Sequence, residues 1–125
     1  MKNDSLILSS LPKTWILDVD GTIVKHNGHL QGQDILLPGV SEFLSTLSPE
    51  DKVILLTARE KKYSESLINF LKEKKIKYDQ IIFDMPKGER ILINDSKPSG
   101  LETAFAINIK RDSGLDIRYK IDESL

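Results

Sequence analysis

The chain has 125 residues, 39% of them apolar and 30% charged, with a net charge of −1, a composition that fits one domain over residues 1–125 with a single core. Charge this balanced gives no basic excess for general binding along a nucleic-acid backbone, and the absence of cysteine removes disulfides, thiolate nucleophiles and thiolate metal ligands. The early apolar run Leu6-Ile7-Leu8 is too short for a signal-peptide core or a membrane span, so a cytoplasmic protein without a membrane partner is expected.

Residues 1–13 read as a polar lead-in packed loosely ahead of the first strand. Trp15-Ile16-Leu17 then runs into Asp18-Val19-Asp20-Gly21-Thr22, a buried strand that ends in a sharp turn. Strand residues two apart share a face, so Asp18 and Asp20 can approach one polar site beyond the sheet. Asn27-Gly28 predicts a two-residue hairpin turn between Ile23–His26 and His29–Gln31. Pro38-Gly39 opens a short helix with apolar positions at Val40, Phe43, Leu44 and Leu47, closed by Ser48-Pro49.

Val53–Leu56 predicts a second buried strand leading into Thr57-Ala58-Arg59, followed by an amphipathic helix carrying Tyr63, Leu67, Phe70 and Leu71. Gln80–Asp84, Arg90–Ile93 and Ala104–Ile109 are the third, fourth and fifth strand candidates, and Ile117, Tyr119 and Ile121 alternate loosely as an edge strand or ordered tail. Strands alternating with helices imply an α/β fold, a Rossmann-like three-layer sandwich around a mostly parallel five-stranded sheet. In such folds ligands bind at the carboxyl ends of the strands. Asp18, Asp20, Thr57 and Asp95 all fall there.

Phosphoryl transfer needs a nucleophile, neutralisation of charge and a proton for the leaving oxygen. Asp18 can attack phosphorus and form an aspartyl phosphate. A carboxylate and a phosphate dianion repel each other, so a cation is required. Magnesium held by Asp18, a main-chain carbonyl at Asp20, and Asp95 would supply it. Lys87 can add positive charge, and Thr57 with the backbone N–H groups of Val19, Asp20 and Ala58 can hold phosphoryl oxygens.

This order of elements resembles the haloacid dehalogenase superfamily of phosphohydrolases over residues 15–110. The matching motifs are Asp18-Val-Asp20-Gly21-Thr22, Leu55-Leu56-Thr57, Lys87 and Asn94-Asp95. The resemblance implies that Asp18 is the nucleophile and Asp20 the acid that protonates the leaving group and then activates water. Asn94 stands where an acid is more common, which departs from the family pattern next to the metal ligand Asp95. Neither the stretch from Asp20 to Thr57 nor that from Thr57 to Lys87 has room for a cap domain. Open sites in the family suit bulky substrates, and a neighbouring copy in a homo-oligomer can cover them.

Leu92-Ile-Asn-Asp-Ser-Lys-Pro and the short chain are similar to small capless phosphatases of bacterial polysaccharide and capsule synthesis, implying a phosphorylated sugar or glycan precursor as substrate. Arg59, Lys97, His26 and His29 could contact substrate; a surface role competes equally for Arg59 and Lys97 and is favoured for the two histidines. Two other classes compete with the enzyme. One is a receiver-like phosphoacceptor module, whose acidic pair precedes its acceptor aspartate, unlike the order here; the other is an inactive binding protein on the same scaffold, which Asn94 favours and the intact Asp18 and Asp20 oppose.

Overall fold

The computed structural model describes residues 5–125, so residues 1–4 of the expected lead-in lie outside the described residues. Strands β2 (Thr14–Asp18), β3 (Lys52–Leu56) and β4 (Gln80–Ile82) form one parallel sheet in that order. Asp18 lies opposite Leu56 and Leu56 opposite Ile82, so the three strands end at one level. A second sheet pairs β1 (Leu6–Leu8) in parallel with β5 (Tyr119–Ile121). The lead-in thus contains a strand, and the expected C-terminal edge strand is its partner.

The expected five-stranded sheet is replaced by these sheets of three and two strands. Arg90–Ile93 and Ala104–Ile109 form no strand, and Ile91 and Ile93 are 82% and 90% exposed. An apolar β-branched run supplies strand propensity, but a strand exists only where a neighbour completes its hydrogen bonds. Neither run has such a ladder, and β2 pairs through one edge alone. Asn27-Gly28 does not make a tight hairpin either. Asn27 adopts the left-handed conformation expected of it, at φ 57°, but it leads into a single 3-10 turn over Gly28–Leu30. The chain returns later, where Lys25 N–H donates to the Ile35 carbonyl at 2.9 Å.

Helix α1 (Val40–Ser45) buries Val40 and Phe43, and α2 (Ser64–Glu73) buries Leu67 and Leu71, the three- and four-residue spacings that keep apolar groups on one face. They pack with Leu17, Val53 and Leu55 of the sheet and with Val19, Ile23 and Val24 of the motif turn in one core. Trp15 fixes how the two sheets meet. Its ring lies edge-on to Phe43 at 5.4 Å and tilted on Tyr119 at 5.3 Å, while its indole N–H donates to Asp51 at 2.9 Å.

The segment after residue 110 crosses the loop before α1. Leu115 N–H donates to the Pro38 carbonyl at 2.9 Å. A Cβ at Gly39 would overlap the Leu115 carbonyl oxygen, and one at Gly114 would overlap that of Pro38. Both glycines also have positive φ, 80° and 84°, so space and conformation each require glycine there.

Candidate active site

The turn after β2 winds tightly around one carbonyl. The N–H groups of Thr22, Ile23 and Val24 all point to the Val19 oxygen, at 3.2, 2.8 and 3.1 Å, and Gly21 N–H donates to the Val24 carbonyl at 2.7 Å. Gly21 takes φ 88° to allow this. The winding buries Val19, Ile23 and Val24 completely and sends the two carboxylates into different surroundings.

Asp18 is open: its side chain is 40% exposed. Thr22 Oγ1 donates to its Oδ2 at 3.2 Å, and Arg90 Nη1 donates to its Oδ1 at 2.9 Å. Asp20 is enclosed. Thr57 Oγ1 donates to its Oδ2 at 3.1 Å and Arg59 Nη2 to its Oδ1 at 2.6 Å. Thr57 Oγ1 also accepts the Arg59 N–H at 2.9 Å, so its single proton is directed to Asp20.

Arg59 is itself gripped from behind. Asp34 accepts from Nη1 at 3.0 Å and from Nη2 at 2.9 Å, a bidentate fork. The Arg59 side chain is 0% exposed and that of Asp34 is 4% exposed. Burial works against the Arg59 charge, but the hydrogen bonds it donates to Asp34 and Asp20 outweigh it and hold the guanidinium above its ordinary pKa. His29 completes the cluster, with Nδ1 4.0 Å from Asp20 Oδ1 and the side chain 10% exposed. Its ring meets Tyr63 edge-on at 4.9 Å. Burial, and then the neighbouring Arg59 charge, push the His29 pKa below 6.5 despite the two carboxylates, and its buried Nδ1 has no hydrogen-bond partner.

Asp18, Asp20, Thr57 and Arg59, together with the main chain at Val19 and Ala58, therefore come together at the ends of β2 and β3. Lys87 and Asp95 are exposed residues of the segment beyond β4. There Asn94 Nδ2 donates to Thr103 Oγ1 at 2.9 Å, and Thr103 Oγ1 donates to the Asp95 carbonyl, closing a loop of its own. Three contributors were not legible as site residues: Arg90, read only as the start of a strand, Asp34, which sits in a polar loop without pattern, and His29, read as surface. The basic residue on Asp18 lies three positions after Lys87, and that proximity is the one signal that could have found it.

Among the described residues one group of potential metal ligands converges: Asp20, His29 and Asp34, with an atom of each within 4.8 Å of the others. Arg59 already bonds both of its carboxylates, and an imidazole does not suit a hard cation such as magnesium. The donors that do suit magnesium are the open carboxylate of Asp18 and the main-chain carbonyl of Asp20.

Comparison with known proteins gives two related solved structures. A chain in the structure of a Pnkp1/Rnl/Hen1 complex is 35% identical, with a TM-score of 0.52, over 66% of this chain and 31% of that one. A chain in the structure of the Pnkp1/Rnl/Hen1 RNA repair complex is 33% identical, with a TM-score of 0.52, over 72% of this chain and 30% of that one. The chain thus spans about a third of the length of the proteins it resembles. No curated protein matches it. The family model of NLI interacting factor-like phosphatases matches residues 13–87, the span that holds both carboxylates, Thr57, Arg59 and all three strands of the larger sheet. The chain belongs to the NLI interacting factor-like phosphatases.

Proposed function

We propose that the chain is a capless, magnesium-dependent phosphomonoesterase that acts through an aspartyl phosphate on Asp18 and takes the phosphorylated end of a polynucleotide as substrate. The observation that carries the reaction is the unequal setting of the two carboxylates: Asp18 open and paired with one partly exposed cation, Asp20 held by Thr57 and Arg59. Bound magnesium would neutralise phosphoryl charge beside Asp18 and the Asp20 carbonyl. Asp18 Oδ attacks phosphorus, the ester P–O bond breaks, and the leaving oxygen takes a proton from Asp20. Water then attacks the phosphorus of the aspartyl phosphate and gives its proton to Asp20. The bond from phosphorus to Asp18 breaks, releasing inorganic phosphate. Each Asp20 oxygen accepts one hydrogen bond and keeps a second lone pair for that proton. Arg90 has the reach to turn from Asp18 to the incoming phosphoryl oxygens.

The comparisons give no support to the sugar or capsule substrate expected from the sequence, and both related structures come from complexes that share Pnkp1, Rnl and Hen1, one described as an RNA repair complex. The balanced net charge argues against tracking along a nucleic-acid backbone, not against recognising one end through a few local cations. The test compares a 3′-phosphorylated oligoribonucleotide, sugar phosphates and an aryl phosphate, all with magnesium. Hydrolysis of the oligonucleotide well above the sugar phosphates, abolished by Asp18→Asn, is expected. An Asp18→Asn chain that keeps its rate on the aryl phosphate would exclude Asp18 as nucleophile, and a stable phosphoprotein after treatment with a small phosphodonor would indicate a phosphoacceptor module instead.

A further inference from the structure

The segment beyond residue 110 lies outside the span of the family match, yet it is fastened to the catalytic turn. Asp112 N–H donates to the Gly21 carbonyl at 2.9 Å, and Asp112 Oδ1 accepts from His26 N–H at 2.8 Å. The crossing of Gly114 and Leu115 with Pro38 and Gly39 fixes the next residues. These contacts hold Arg111 against the turn: its Cγ lies 3.2 Å and its Nε 3.9 Å from where a Cβ on Gly21 would stand. The missing side chain of Gly21 is therefore the seat for the Arg111 stem, one residue from Asp20. Asp112, the nearest acid in sequence, spends an oxygen on His26. Arg111 is exposed, and among the described residues its guanidinium has neither an ion pair nor a hydrogen bond.

We infer that Arg111 is a substrate-binding residue that takes a second anionic group, so that the preferred substrate is a phosphomonoester that carries another phosphate. This deepens the phosphomonoesterase reading and rests on it for the position of the scissile group. Arg90 stands on Asp18, where the reacting phosphate must come, and Arg111 lies against Gly21 of the same turn on a separately anchored segment. A planar guanidinium with free donors suits a phosphate fork. Such a second phosphate occurs both in a nucleoside bisphosphate and at the terminal linkage of a nucleic-acid strand.

The experiment measures kcat and KM with magnesium for 4-nitrophenyl phosphate, adenosine 3′-monophosphate, adenosine 3′,5′-bisphosphate and a 3′-phosphorylated oligoribonucleotide, using the full chain and Arg111→Ala and Arg111→Lys. The alanine variant should raise KM about ten-fold for the two substrates with a second phosphate, the loss of one charge-assisted contact. Its kcat should not change, the two monophosphates should shift less than about two-fold, and lysine should recover part of the loss. A larger effect on the oligonucleotide than on the bisphosphate assigns the site to a strand end; the reverse assigns it to the free nucleotide. Equal losses on all four substrates would make Arg111 structural and overturn the inference, as would an unchanged KM for the bisphosphate. Calorimetric binding of the bisphosphate, with and without Arg111→Ala, separates the two readings. Arg111-dependent affinity without turnover of any ester keeps the subsite and removes the phosphatase reading, whereas turnover with Arg111-independent affinity does the opposite.

Discussion

Replacing Asp34 by alanine removes a carboxylate that touches no substrate in the proposed reaction, yet it should be among the most damaging single changes in the protein. Asp34 accepts two bonds from a guanidinium with no solvent exposure, and it is itself 4% exposed. Without it, Arg59 keeps only Asp20 and carries its charge in a site from which water is excluded. Removing one partner of a buried pair costs about 3–5 kcal/mol, against about 5–15 kcal/mol for the stability of a whole domain. With a urea m-value of about 1.5 kcal/mol/M, the midpoint of unfolding should fall by about 2–3 M. Glu60→Ala is the control, because its pair with Lys62 spans 3.7 Å between side chains about two-thirds exposed, and it should cost less than about 1 kcal/mol. The double variant Asp34→Leu/Arg59→Met should recover part of the loss, since the fully buried guanidinium is gone and Asp20, left without its cation, is 16% exposed and keeps the Thr57 bond. An Asp34→Ala midpoint as close to wild type as that of Glu60→Ala would refute the account.

Other consequences can be checked with the same assay or by kinetics. His29 has a folded-state pKa below its ordinary value, so the unfolded chain takes up the proton first. Its contribution to stability is complete above about pH 6.5, declines as the pH falls below that, and is lost once the pH has fallen through the folded-state pKa; His29→Gln should flatten this part of the stability profile. Gly114→Ala and Gly39→Ala should each destabilise by about 1–3 kcal/mol or more, because a Cβ meets a carbonyl oxygen at a residue with positive φ, while Gly32→Ala, with open space around it, should cost less on thermal unfolding. Trp15→Phe keeps most of the stacking but leaves Asp51 Oδ2 without its indole donor, and a loss of about 1–2 kcal/mol on urea unfolding is expected. Arg90→Ala should lower kcat/KM on an aryl phosphate by about ten-fold or more while leaving stability within about 1 kcal/mol, because the pair it makes with Asp18 is more than a third exposed on both sides.

The larger sheet was legible because β2 and β3 carry their own instructions: apolar runs of strand length, each ended by polar residues at the same level. Asp18, Asp20 and Thr57 were legible for the same reason, since a strand end fixes where its last side chains point. Arg59 was visible only as an alternative, because no local pattern says which acid will meet a cation two residues past a strand. Asp34 meets it across 25 positions of chain, a tertiary pairing that neither periodicity nor spacing encodes. Arg90–Ile93 and Ala104–Ile109 misled for the converse reason, having the composition of strands without a neighbour to complete them. Gly39 could be read as a helix opener, but its need to be glycine comes from Leu115, which no local reading supplies.

The fastening of Asp112 to Gly21 and His26 also sets an order of events in folding. The bond to His26 joins residues 86 positions apart, and closing so large a loop becomes favourable only when other contacts have already shortened the path. The sheet of β2, β3 and β4 and the helices between them can assemble from nearer contacts. The contacts that the 111–112 segment makes with the turn after β2 would then be among the last to form, although Val19, Ile23 and Val24 of that turn already belong to the core.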